Sequence, residues 1–161
     1  MSDADAAPER RIWTETDFEQ MGWHDCAVHA LAFRPERFEL RLDLDYILEW
    51  VAPTEPGGPF TFRVAPATLV FHNVSGVTVD LQPWTGVLPT LDALTRADPQ
   101  PAPNGRFVTW SWELDGHEGA IRLCATGYTQ ALRAAPRVVP AQRLTWEERG
   151  GPSFALPGDD A

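Results

Sequence analysis

From Phe38 to Glu49 the chain alternates. Phe38, Leu40, Leu42, Leu44, Tyr46 and Leu48 occupy every second position, and Glu39, Arg41, Asp43, Asp45 and Glu49 lie between them. A period of two predicts a strand with one buried and one solvated face. Residues 27–33 carry a second such run, and Arg34-Pro35-Glu36-Arg37 is a short turn, so the two segments read as a hairpin. Further strands are predicted at 60–64, 68–73, 77–81, 108–114, 120–128 and 138–146, separated by turn residues. Asp115-Gly116 heads the tightest of those turns. A Pro/Gly loop covers 53–59.

Two stretches break the pattern. Thr14, Thr16 and Asp17 are cap-type residues ahead of Phe18 and Met21, with Gly22 as a stop, which predicts one short helix over 14–20. Residues 82–105 hold Pro83, Pro89, Pro99, Pro101 and Pro103 and read as a loop insertion with one helical turn at Leu91–Thr95. The expected architecture is mainly β. It is a single-domain antiparallel β-sandwich or open barrel of about eight strands with a short N-terminal helix. The domain spans 13–148, between flexible tails at 1–12 and 149–161.

Composition narrows the chemistry. A chain of 161 residues, 43% hydrophobic and 11% aromatic, is one domain by size and can bury a sizeable core. Its seven tryptophans suit aromatic packing between sheets. The net charge of −10 disfavours nucleic acid and anionic membranes and suits a basic protein partner. All 13 basic residues are arginine, so Schiff-base, P-loop and Ser-Lys chemistry have no lysine to use. An Arg, Ala and Pro bias fits a GC-rich bacterial genome. Cys26 and Cys124 form no CxxC pair, and no run approaches 18 apolar residues. A soluble, cytoplasmic protein with reduced thiols and no cofactor is expected.

Trp23-His24-Asp25-Cys26 crowds an indole, an imidazole, a carboxylate and a thiol into the junction between helix and first strand. His24 and Asp25 are the catalytic candidates. A metal site would recruit His24, Asp25, His29, Asp43, Asp45 and His72, since Asp43 and Asp45 share a strand face that the hairpin brings near His29. The HxH, HxxxH and HExxH spacings are absent, and alternating Asp on a strand is ordinarily a solvated face. The architectural reading is a corner piece: Trp23 inward, Asp25 tied to backbone or to an arginine, Cys26 a small buried hydrophobe. Trp110 and Trp112 share a strand face suited to core packing or to stacking on a ligand. Glu113 and Glu118 lie on opposite arms of the last hairpin, where solvent exposure is expected. Ser75 and Ser111 have no GxSxG context.

The run Gly22-Trp23-His24-Asp25-Cys26-x-Val28-His29, with the Phe38–Tyr46 strand and Leu69–Val74, resembles a group of small bacterial β-rich proteins carrying a His-Asp-(Ser/Cys) box. That group includes immunity proteins of polymorphic toxin systems and uncharacterised relatives. The likeness covers 18–80 and the 119–128 strand, and carries over the His24-Asp25 box without a role for it; the Pro-rich 82–105 stretch departs from the pattern. The expected function is a non-enzymatic domain that binds another protein, of immunity type. The alternative is an enzyme or small-molecule or metal binder using His24, Asp25 and the aromatic face of Trp110 and Trp112.

Overall fold

A computed structural model describes residues 9–82 and 88–159. Two open antiparallel sheets face each other. The larger contains β1 (Ile12–Thr14), β2 (Val28–Arg34), β3 (Glu39–Val51), β4 (Thr61–His72), β9 (Gly127–Leu132) and β10 (Arg137–Val139), in the order β1-β9-β4-β3-β2, with β10 on β4. The smaller contains β5 (Ser75–Leu81), β6 (Leu91–Pro101), β7 (Val108–Gly116) and β8 (Gly119–Ala125), in the order β5-β8-β7-β6. Of the sandwich or open barrel expected from the alternation, the two-sheet form is the one that occurs, with ten strands among the described residues where about eight were expected.

The β2–β3 hairpin forms as predicted, and Leu40, Leu42 and Leu44 pair with Phe71, Leu69 and Ala67 of β4 on the inner face. That face meets Trp112, Leu114, Ile121 and Leu123 of the smaller sheet in one buried cluster. The other face of β3 is the surprise. Arg41, Asp43 and Asp45 are as buried as the leucines between them. The expected solvated face lies beneath residues 139–159, which cross the outside of the larger sheet. Val139 and Leu144 join Ile47, Phe62 and Val64 in the buried cluster, and Arg149 is buried with Asp43 and Asp45.

Other expectations are corrected. The N-terminal helix is a six-residue 3₁₀ turn, Glu15–Gln20, held by a reciprocal capping box between Thr14 and Asp17. The α-helix, α1 (Trp146–Arg149), comes late instead, inside the run read as the last strand, which covers only Arg137–Val139. Pro140 removes the next donor and ends it. The two strands read at 60–64 and 68–73 are one, β4, and the run at 120–128 divides into β8 and β9. Leu91–Pro101 is the strand β6, not a loop with a helical turn; Pro83 and Trp84 of that stretch lie outside the described residues. In the β7–β8 hairpin His117 and Glu118 make the reversal, and Gly119 sits at φ 131° with Asp80 O where a Cβ would be.

The segment read as a flexible C-terminal tail is docked as far as Asp159; residues 160–161 lie outside the described residues. Arg41 donates to Phe154 O at 2.7 Å and to both carboxylate oxygens of Asp159 at 2.6 and 3.1 Å. These bonds hold the Asp159 carboxyl at about 2, well below the usual carboxylate range. A carboxylate depressed on folding adds stability above its unfolded value near 3.9, and that stability is lost as pH falls through the folded value. Amide-exchange protection of residues 153–159 should therefore weaken between about pH 4 and pH 2. In Asp159→Asn it should be weaker at neutral pH, with that step flattened; a step unchanged in Asp159→Asn would assign it to another group.

Candidate functional site

The chain enters the sandwich through a tight corner. Trp23 drops into the core, where its indole N–H donates to Gln130 Oε1 at 2.8 Å and its ring meets Phe18, Tyr46 and Tyr128. Cys26 is fully buried on the far side of the corner. With indole and thiol both inside, His24 and Asp25 are carried on the outside of the bend. Asp25 takes φ 65°, a left-handed conformation that Asp tolerates better than most residues. The Asp25 N–H donates to Leu91 O at 2.8 Å and Leu91 N–H to Cys26 O at 2.9 Å, which ties the corner to the start of β6.

Among the described residues, the Asp25 carboxylate is neither bound to backbone nor paired with arginine. Its Oδ2 accepts from Gln142 Nε2 at 2.8 Å and lies 3.4 Å from His24 Nε2. The exposed His24 ring stacks on Trp50, centroids 6.3 Å apart and planes within 17°. A register shift between Ile47 and Glu49 carries Trp50 to the outer side, opposite Phe62, and leaves it 46% exposed. Trp50 stands edge-on to Phe62 at 5.1 Å and to Phe60 at 6.3 Å, and Phe60 is 49% exposed. His24, Trp50 and Phe60 thus form an aromatic ledge. Beside it opens a cleft of about 360 Å³ lined by Asp25, Phe62, Thr90, Pro140, Gln142 and Arg143, among others.

The metal candidates divide. Asp43 and Asp45 come together around the Arg149 guanidinium and His29 contacts Asp45; among the described residues no three His, Cys, Asp or Glu side chains are grouped to hold a metal ion. Asp43 Oδ1 accepts from Arg133 at 2.6 Å and Arg149 at 2.7 Å; its Oδ2 accepts from Arg149 at 2.9 Å and from Ser153 N–H at 3.0 Å. Asp45 Oδ1 accepts from Arg149 at 3.2 Å, and its Oδ2 contacts His29 Nε2 at 2.7 Å and accepts from Leu144 N–H at 3.0 Å. Every carboxylate oxygen of the pair is engaged, and an entering cation would meet two arginines. Burial pushes the Asp43 carboxyl up, but the bonds from Arg149, Arg133 and Ser153 outweigh it and hold it below its ordinary value. His24 and Asp25 are at the corner instead, and His72 contacts Thr129 Oγ1 at 2.8 Å near the end of β4.

Trp112 is core, its indole N–H donating to Ala125 O at 3.1 Å. The partly buried Trp110 already carries the Arg96 guanidinium 4.3 Å from its ring centroid, so neither tryptophan offers an open stacking face there. Glu113 pairs with Arg122 at 2.9 Å and Glu118 accepts from Thr90 N–H at 3.0 Å, each committed to its own neighbour. Burial pushes the Cys26 thiol and the Tyr46 phenol up to about 12, which leaves both protonated at neutral pH.

Trp50, Phe60, Gln142 and Arg149 were not singled out in the sequence. Trp50 and Phe60 do carry a local signal, since they flank the 53–59 loop that closes the β3–β4 hairpin. Gln142 and Arg149 carry none, because their partners are 117 and 106 residues away. No protein-family model, curated protein or solved structure matches this chain. The corner presents an exposed aromatic plane, a fixed carboxylate and a side-chain amide.

Proposed function

We propose that the chain is a non-enzymatic domain that binds another protein, a basic one, and that the ledge of His24, Trp50 and Phe60 is its contact surface. The observation that carries the reading is the ledge itself. A tryptophan and a phenylalanine, each about half exposed, are locked edge-to-face beside a mostly buried carboxylate. Rigid aromatics of this kind anchor protein interfaces and lose little entropy on binding. The net charge of −10 favours encounter with a cationic surface and would speed association at low salt. Toxin neutralisation is the specific form we propose, on the resemblance of the His24-Asp25 box and the Phe38–Tyr46 strand to a group of small bacterial β-rich proteins that includes immunity proteins.

The test is differential capture from the source organism. The wild-type protein should retain a basic protein that Trp50→Ala retains at least about tenfold less, and about 0.5 M salt should release it. Co-expression should relieve the growth arrest that this partner causes. Trp50→Ala should melt within a few degrees of wild type, since the ring is half exposed. Equal retention by both proteins, or growth arrest undiminished by co-expression, overturns the reading.

A further inference from the structure

We propose that the Asp25 cleft is the anchor pocket of that surface and takes the guanidinium group of an arginine side chain of the partner. The inference rests on the protein-binding reading above and names the chemistry that the surface recognises.

Three features carry it. The first is a carboxylate held in place. Asp25 is fixed through its backbone by Leu91 and through Oδ2 by Gln142, and its side chain is 19% exposed. Both side-chain contacts use Oδ2, so among the described residues Oδ1 accepts no hydrogen bond. The second is the wall. Phe62, 9% exposed and backed edge-on by Trp50, adds a small apolar strip to the cleft, and apolar lining next to a carboxylate suits the weakly hydrated guanidinium better than a compact ammonium. The third is size and sign. About 360 Å³ admits one long side chain, on a protein of net charge −10. Against it stands Arg143, the cationic lining residue. It is exposed, and its long stem can carry the charge into solvent, whereas Asp25 cannot move away.

A guanidinium in the cleft would donate to Asp25 Oδ1, with Gln142 Oε1 as a second acceptor, and touch Phe62 only through the little of that ring that is exposed. A charge-assisted bond of this kind is lost when the ligand is made neutral at the same shape. Arg143 opposes the ligand, so its removal should help.

N-acetyl-arginine methylamide, its citrulline counterpart and N-acetyl-glutamate methylamide are the probes, followed by NMR at the Gln142 side-chain amide and the Thr90 backbone amide. The arginine probe should shift both saturably and bind at least about tenfold tighter than citrulline. Asp25→Asn should bring arginine down to the citrulline level, since Asn keeps the left-handed backbone and an acceptor for Gln142. Arg143→Gln should tighten arginine binding by about two- to fivefold. Should Asp25→Asn fail to fold, the citrulline comparison and Arg143→Gln decide alone. Equal binding of citrulline and arginine, no saturable shift with arginine, or binding of glutamate that Arg143→Gln abolishes would each overturn the pocket. A partner captured by wild type, lost by Trp50→Ala and retained undiminished by Asp25→Asn would sink the pocket and keep the ledge. Arginine binding with no partner captured would do the reverse.

Discussion

Arg149→Met is expected to cost about 3–5 kcal/mol of folding stability, the range for removing one member of a buried ion network. Arg149 is fully buried and donates to both Asp43 and Asp45, as well as to Gly151 O at 2.8 Å. Asp43, Asp45, Arg133 and Arg149 balance two charges of each sign. Without Arg149, two carboxylates on one strand face keep a single arginine between them, and Asp45 loses its guanidinium altogether. At about 2–4 °C per kcal/mol for a chain of this length, Tm should fall by roughly 10 °C. The cost should shrink in an Asp45→Asn background, because one of the abandoned charges is then gone, with a coupling of about 1–3 kcal/mol. Urea unfolding of the four proteins measures both quantities. A loss below about 1 kcal/mol for the single variant would mean that the network is solvated and behaves like surface pairs.

Trp112→Ala is expected to be comparably damaging, by about 3–5 kcal/mol. Trp112 is 1% exposed on the smaller sheet and reaches Phe71 and Tyr128 of the larger one, both with centroids 5.6 Å away, and Phe18 at 5.5 Å. Among the described residues it is the side chain through which the two sheets share aromatic contact, so alanine opens a cavity at their junction. Trp112→Phe keeps part of that contact and loses the bond to Ala125 O, and should cost about half as much or less. Equal losses for Ala and Phe would show that the indole N–H, and not the ring volume, carries the effect.

Much of the fold was legible because it is written in local periodicity. Alternation over 40–46 predicted β3 and its inner face, and the adjacent turn predicted its pairing with β2; Phe38, read as the start of that face, lies before β3 in a left-handed conformation and is exposed. Trp23 and Cys26 were legible as interior residues of a corner. The failures have physical causes. The capping box between Thr14 and Asp17 closes a six-residue 3₁₀ turn instead of an α-helix, and Met21, at φ −105° and ψ 158°, ends it in extended backbone. Pro99 and Pro101 mark a loop if β6 is imagined inside a sheet; β6 is an edge strand, where the lost N–H donors face outward at little cost.

The candidate site was half legible. The His24-Asp25 corner stood out in the sequence, but its use did not. Asp25 was expected to bind backbone or arginine; Gln142 takes it instead, from a stretch read as strand. The metal reading placed His29, Asp43 and Asp45 near one another; in the structure His29 reaches Asp45, and Arg149 fills the space between the two carboxylates.

The sequence by itself determined the mainly β antiparallel class, the inner face of β3, the inward Trp23, the absence of lysine chemistry and the acidic charge, since each is a property of neighbouring residues or of the whole composition. Only the tertiary structure decided that the acidic face of β3 is interior, that Arg149 neutralises it, and that Trp50, Phe60 and Asp25 share one end of the sandwich. Those facts depend on which distant segment covers which surface, and no pattern within a strand's own residues records its cover.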